Sequence, residues 1–298
     1  MRLKLFVLLG LAVILIFTTP SKAQVPAKVE NATTVLDTDG DRISDELDAC
    51  PKDVGPMNSE ALKNGCTAHA LARQWIVAFI SKVSFPGRKT YFTHAQETRE
   101  EALVRYGEIA NDLLAAVYDP DVKPLFSGPL GRARTISLML GVMFWETGFR
   151  RDVDFGLGKH ARGDNGRSWC LMQINIGSGK TASGFTGEDL VKNRRACFQE
   201  GLRVIRGSFS ACRRLPLEHR LSAYASGSCD KGRDKSRQRV HTGMQWFSNS
   251  RALRLFSDND LAPQLPAPTP DAHPNPSSDR VSFLSPISKE RTQDGPIR

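Results

Sequence analysis

Residues 136–149, with the sequence ISLMLGVMFWETGF, form one of the most apolar stretches of the chain after residue 23. Its first ten residues are apolar on nearly every face, which is typical of a helix buried at the centre of a domain. Gly148 stands where a helix C-terminus favours a residue in the left-handed region. The stretch therefore predicts a central helix that ends close to Glu146.

Most of residues 67–257 has helical periodicity. A capping box at Thr98 and Glu101 begins one predicted helix, and Thr186 with Asp189 begins another that continues through residue 205. Pro216 suits the first position of a further helix. Apolar residues at helical spacing around 240–247 predict a last helix, and strand signals are confined to short runs near 168–176. We predict an all-α or α-dominated domain with at most a small β element there.

The two ends of the chain differ from this body. Residues 1–23 have a short basic start, an apolar run and small residues before Gln24, which predicts a cleaved signal peptide. We therefore predict a secreted or periplasmic protein without stable membrane insertion. The alternative is that residues 1–23 are retained as a membrane anchor. Residues 24–36 are interpreted as a linker. The proline-rich residues 258–298 are interpreted as a disordered tail.

The six cysteines all follow the predicted cleavage point. An even number in an exported chain favours disulfides. Cys50 and Cys66 bracket one compact segment, and theirs is the only pairing that we predict. Zinc is the competing explanation, but no Cys-x-x-Cys pair occurs in the sequence.

The chain is basic, with a net charge of +9, and residues 67–257 hold 30 Lys and Arg against 17 Asp and Glu. Such a charge suits an anionic polymer, whether a cell-wall glycan with acidic peptides or a nucleic acid. Export argues against nucleic acid. The basic run at 231–239 lacks interleaved aromatic residues, and we interpret it as a solvated helix face.

An acidic module occupies residues 37–66. Calcium takes about six to eight oxygen ligands, and carboxylates at positions 1, 3, 5, 9 and 12 of a loop, with a carbonyl at position 7, can surround one ion. Two features depart from an EF-hand, because Arg42 replaces the expected Gly and an Asp replaces the final Glu. The predicted ligands are Asp37, Asp39, Asp41, Ile43 through its carbonyl, Asp45 and Asp48.

With Ala49-Cys50-Pro51 after the loop and Gly65-Cys66 at its end, the module resembles a thrombospondin type 3 repeat. The resemblance implies structural Ca²⁺. A merely acidic linker is the alternative.

Glu146 is the candidate catalytic acid. A carboxyl at the end of an apolar helix resists ionisation, since desolvation disfavours the charged form, and glycoside cleavage needs such a proton donor. The alternative is a structural Glu at a helix end, paired with Arg150 or Arg151.

Two later motifs carry a family resemblance. Residues 168–173, SWCLMQ, are similar to the Ser-x-Gly-Leu-Met-Gln signature of lysozyme-like lytic transglycosylases, with Cys170 in place of Gly. Residues 223–225, AYA, resemble the family's Ala-Tyr-Asn motif. The resemblance implies a lysozyme-like fold, Ser168 and Gln173 as glycan-binding residues, and Tyr224 as a hydrogen-bond partner of Glu146. Trp169 either stacks on a sugar or is buried.

Asp164 lies in a Gly-Asp-Asn-Gly segment that resembles the goose-type lysozymes, in which an Asp at this place helps to position water. A turn residue is the alternative for Asp164, and Asp152 and Asp154 are further candidates for a second carboxylate.

The resemblance implies an enzyme that cuts peptidoglycan between N-acetylmuramic acid and N-acetylglucosamine. A lytic transglycosylase would use Glu146 as acid and base, whereas an inverting hydrolase would use Glu146 with Asp164. Neither needs a cofactor for catalysis. A third hypothesis is an inactive wall-binding or calcium-dependent adhesion protein. The sequence leaves the oligomeric state open.

Overall fold

The computed structural model describes residues 36–84 and 97–250. The predicted signal peptide, nearly all of the linker and the proline-rich tail lie outside the described residues. Eight α-helices occur in the described part. They are α1 (Ala68–Ser84), α2 (Arg99–Val117), α3 (Gly131–Thr147), α4 (Arg151–Asp154), α5 (Gly187–Lys192), α6 (Arg194–Ala211), α7 (Ser222–Ser226) and α8 (Arg233–Asn249).

The central helix is α3, formed by the apolar stretch. Every residue from Thr135 to Met143 is buried. The helix ends at Gly148, which has a φ of 58° and donates its N–H to the carbonyls of Met143 and Phe144. This left-handed residue leaves Glu146 in the last turn of a buried helix.

The closest neighbour of α3 is α8, and two glycines allow the approach. A methyl group on Gly141 would overlap the carbonyl oxygen of Arg239, and one on Gly243 would overlap the carbonyl oxygen of Ser137. The two backbones therefore pack nearly in contact. This packing brings the side chains of α8 to the last turn of α3.

The capping box at the start of α2 is confirmed. Glu101 donates its N–H to the Thr98 hydroxyl, and Thr98 donates its N–H to the Glu101 carboxylate. The prediction of one helix from Thr186 through residue 205 is wrong. The chain breaks at Asn193, whose side chain accepts the N–H of Ala196 and so caps a new helix.

Pro216 does not begin a long helix. It precedes a single 3₁₀ turn, Leu217–His219, and the chain becomes α-helical only in α7. The small β element near 168–176 is present. Strand β1 (Ser168–Trp169) pairs antiparallel with β2 (Ile174–Asn175). The described part is thus dominated by helices, as predicted.

All six cysteines are bonded: Cys50 with Cys66, Cys170 with Cys197, and Cys212 with Cys229. The first bond closes the acidic module. The second joins the β-hairpin to α6, and the third joins the end of α6 to the loop before α8. In the described part of the chain, no helix combines the length and apolar character needed to cross a bilayer.

Candidate active site

A cleft of about 610 Å³ opens beside the C-terminal end of α3, within the roughly 300–1,000 Å³ that is usual for ligand sites. The hairpin loop, α7 and the first turns of α8 form its other walls. All five residues predicted for catalysis or glycan binding line it, namely Glu146, Asp164, Ser168, Gln173 and Tyr224.

Glu146 is held by Arg239. The Nε and Nη2 atoms of Arg239 both donate to Oε1 of Glu146, at 2.9 and 2.8 Å, and Nη1 donates to the carbonyl of Lys235 at 2.8 Å. Oε2 of Glu146 has no hydrogen-bond partner in residues 36–84 or 97–250. One carboxylate oxygen is therefore fixed, and the other is available to the cleft.

Two opposing effects act on the proton of Glu146. Burial raises the pKa of Glu146 above its ordinary value, and the charge and hydrogen bonds of Arg239 lower it in part. The negative charge of Asp164 adds to the increase. Burial is the larger effect, so Glu146 keeps its proton to a higher pH than an exposed Glu.

Asp164 has the opposite environment. The Ser168 hydroxyl donates to its Oδ2 at 2.6 Å, and the Asn175 amide donates to the same atom at 3.1 Å. These two bonds lower the pKa of Asp164. The cleft thus holds two carboxyl groups whose surroundings shift their pKa values in opposite directions, raising that of Glu146 and lowering that of Asp164.

Asp164 also shapes the loop, because it begins a 3₁₀ turn with a φ of 49°. Gln173 holds the same loop closed. Its Oε1 accepts the N–H of Gly163 at 3.0 Å, and its Nε2 donates to the carbonyl of Cys170 at 3.1 Å. Ser168 and Gln173 therefore position the loop through their polar atoms, in addition to facing the cleft.

Tyr224 is placed differently from the prediction. Its hydroxyl donates to the carbonyl of Met172, and Glu146 accepts its hydrogen bonds from Arg239 instead. The two side chains are still close, since burial and then the charge of Glu146 raise the pKa of Tyr224 well above its ordinary value. The phenol therefore stays protonated and ties α7 to the hairpin.

Cys170 has a backbone conformation that usually favours glycine. Its φ is 57°, in the region where glycine is favoured, so the backbone keeps the conformation that a Gly would adopt. The bond to Cys197 anchors this loop to α6. The substitution therefore coincides with a covalent attachment of the loop.

Arg239 was missed in the sequence because it belongs to the basic run interpreted as a solvated face. Lys231, Arg233, Lys235 and Arg237 are exposed, but Arg239 is only 6% exposed. The spacing of residues along α8 could have indicated that Arg239 lies on the packed face of this helix. The buried residues of α8 are Ser236, Arg239, Val240 and Gly243, which follow the i, i+3, i+4, i+7 pattern of a packed helix face.

Three other candidates lie outside the cleft. Asp152 pairs with Arg150, and Asp154 is buried between Arg105 and Arg194. These ion pairs make both carboxylates structural. The ring of Trp169 is covered by the guanidinium of Arg162, 3.8 Å from its centroid, and is not among the residues that line the cleft.

The alternative pairing of Glu146 with Arg150 or Arg151 is not observed either. Arg150 bonds to Asp152, and the guanidinium of Arg151 lies over the ring of Phe155. The partner of Glu146 is supplied by a distant helix.

The acidic module brings three of its six predicted ligands together. Carboxylate oxygens of Asp37, Asp39 and Asp41 lie within 4.8 Å of one another. Asp45 instead accepts two bonds from Thr38, one from its N–H at 2.8 Å and one from its hydroxyl at 2.6 Å. Asp45 therefore braces the loop in this conformation.

Two oxygens in the module are buried without a partner, Oδ2 of Asp39 and Oδ2 of Asp48. Burial raises the pKa of Asp39, and the neighbouring carboxylates, Asp48 included, add to the increase. Unpaired buried oxygens are costly, and a cation would satisfy them. The residues present fit a hard divalent ion.

Comparisons with protein-family models, curated proteins and solved structures found no match for this chain.

Proposed function

We propose that this chain is an exported enzyme that cleaves the glycosidic bond between N-acetylmuramic acid and N-acetylglucosamine in peptidoglycan, with Glu146 as the general acid. The observation that carries the proposal is the setting of Glu146. It is a largely buried carboxyl with a raised pKa at the wall of a cleft, fixed through one oxygen by Arg239.

Each feature of this setting has a use in glycoside cleavage. The acid must protonate the leaving oxygen while the sugar gains positive charge. Burial keeps the proton on Glu146 to a higher pH than on an exposed Glu. Arg239 fixes the orientation of the carboxyl, and oriented groups react faster than mobile ones.

The lytic transglycosylase mechanism is our first proposal. Glu146 would then return as a base, taking the proton of the sugar's own 6-hydroxyl, which closes an anhydro ring. No second carboxylate takes part. The low pKa of Asp164 supports this mechanism, because two hydrogen bonds to Oδ2 make Asp164 a weak base.

An inverting hydrolase is the second candidate, and one observation favours it. Oδ1 of Asp164 has no hydrogen-bond partner among the described residues, and Asp164 lines the same cleft as Glu146. An ionised carboxylate in that place is able to orient a water molecule against the sugar. Ser168 and Asn175 would then serve to hold the base.

The two mechanisms leave different ends on the products, which mass spectrometry resolves. Transglycosylation predicts 1,6-anhydro ends and an Asp164→Asn variant that keeps most of its activity. Hydrolysis predicts reducing ends and a variant that is slowed by about 10²-fold or more. Glu188→Gln, on an exposed residue paired with Arg162 away from the cleft, is the control.

We also propose that residues 37–66 bind Ca²⁺ as a structural ion. Asp37, Asp39 and Asp41 would supply ligands, with Asp48 close by. The unpaired buried oxygens of Asp39 and Asp48 favour this function over a simple acidic linker. When bound, the ion would balance the clustered negative charge of the module.

A further inference from the structure

The cleft contains an unused cation, Lys235. It lies in the first turns of α8, one helical turn before Arg239, and its carbonyl accepts a bond from Arg239. Residues four apart share a helix face, so Lys235 is on the side of α8 that faces Glu146. Its side chain is exposed, lines the cleft and forms no hydrogen bond or ion pair with the described residues.

A second cation, Arg167, lines the same cleft. Arg167 follows the turn that begins at Asp164, and its Nε donates to the carbonyl of Asp164 at 3.1 Å. Its two terminal nitrogens have no partner within the described ranges. The planar end of a guanidinium matches a carboxylate in geometry, and Arg167 is exposed and lines the cleft.

These cations are not explained by the carboxyl groups already in the cleft. Glu146 is bonded to Arg239, and Asp164 is bonded to Ser168 and Asn175. The field of Lys235 even opposes proton retention, since it lowers the pKa of Glu146. A cation that favours loss of the proton from Glu146 in the free protein does not help to keep the acid protonated, and an anion on the bound substrate would pair with it.

The charged residues of the cleft also leave an excess of positive charge. Arg167, Lys235 and Arg239 face Glu146 and Asp164, so three cations accompany two carboxyl groups. Bringing an anionic group into this cleft is therefore favourable, and the gain is larger in a concave site than on a flat surface.

We propose that Lys235 and Arg167 form a subsite for a carboxylate substituent of the glycan. This inference rests on the proposed function of the cleft and adds a substrate preference to it. Strands that carry carboxylates bind in preference to neutral polymers of N-acetylglucosamine. The carboxylate has two sources, the lactyl group of a peptide-free strand and the peptides of an intact one.

The test measures affinity in a Glu146→Gln background, so that binding does not depend on cleavage. The ligands are peptide-free glycan strands, peptide-bearing strands and neutral N-acetylglucosamine oligomers. Lys235→Gln and Arg167→Gln are each added to this background. Lys231→Gln, an exposed lysine outside the cleft lining, is the matched control.

We expect each cleft variant to bind its carboxylate ligand about three- to ten-fold more weakly, as expected for a partly solvated ion pair, with affinity for the neutral oligomer unchanged. A loss on peptide-free strands assigns the subsite to the lactyl group, and a loss only on peptide-bearing strands assigns it to the peptide. Equal effects on acidic and neutral ligands, or no effect on either, overturn the subsite.

Failure of the proposed function is a separate result. It is measured with the wild-type protein, as absence of cleavage of peptidoglycan. A protein that cleaves but shows no charge preference contradicts only the subsite. A protein that loses carboxylate binding in Lys235→Gln but never cleaves contradicts only the proposed activity.

Discussion

Arg239 on α8 directs two hydrogen bonds to a single carboxylate oxygen of Glu146 on α3, across 93 residues of sequence. The arginine is 6% exposed, and the close approach of the helices at Gly141 and Gly243 allows the contact. The pair therefore couples helix packing to the orientation of the candidate acid.

Removing the charge of Arg239 is expected to shift the pH dependence of cleavage activity to higher pH. Glu146 acts as an acid while protonated, so activity falls as pH rises through its pKa. Arg239 lowers that pKa, and in Arg239→Gln the alkaline limb of kcat/KM moves to higher pH. Lost orientation lowers kcat by about 10- to 100-fold, with KM nearly unchanged.

Arg239→Lys is the matched variant, because it keeps the positive charge and loses the paired hydrogen bonds from Nε and Nη2 to Glu146. Its kcat is expected to fall without movement of the alkaline limb. Asp164, Lys235 and Tyr224 also face Glu146 and are unchanged in both variants. An unmoved limb in Arg239→Gln, or the same shift in both variants, contradicts an electrostatic role for Arg239.

The Cys170–Cys197 bond and the backbone at Cys170 make separable contributions. Removing a bond that closes a loop of 27 residues costs about 3–4 kcal/mol in the loop-entropy account. Cys170→Ala with Cys197→Ala should lose about that amount, since Ala and Cys carry the same cost at a φ of 57°. Cys170→Gly with Cys197→Ala should lose about 1–2 kcal/mol less, because Gly adopts this φ without strain.

Equilibrium unfolding in denaturant measures both double variants. Their difference isolates the backbone cost from the loss of the bond. Equal free energies of unfolding would mean that the loop does not require the left-handed conformation at position 170.

Calcium is expected to raise the melting temperature of the intact protein. An ion at about 100 times its Kd adds about 2.7 kcal/mol to the free energy of unfolding. Asp39→Asn and Asp48→Asn should abolish the response, because each removes an acceptor from the group of buried oxygens. Glu60→Gln, an exposed carboxylate in the same module, should retain it. A shift that survives in all three variants argues against this site.

Features set by neighbouring residues were predictable from the sequence. The capping box at Thr98 and the end of α3 at Gly148 depend on contacts within a few residues, and the apolar stretch dictates its own burial. The break at Asn193 was missed because the apolar spacing of α5 continues into α6, while the capping role of Asn193 requires the turn to form first.

Features set by distant packing were not predictable in the same way. Glu146 was identified from its apolar surroundings, but its partner depends on how α3 and α8 cross. The hydroxyl of Tyr224 donates its hydrogen bond to the Met172 carbonyl because the hairpin and α7 meet there. Disulfide partners other than Cys50 and Cys66 likewise depend on the fold.

Digestion of purified peptidoglycan by the wild-type protein and by Glu146→Gln shows whether the chain cleaves the glycan and whether Glu146 is the general acid. Gln keeps the shape and an acceptor oxygen for Arg239 but cannot supply the proton. If Glu146 is the general acid, wild type and Glu188→Gln release muropeptides, and Glu146→Gln, with unchanged circular dichroism, releases none. Undiminished release by Glu146→Gln, or no release by wild type, would contradict this proposal.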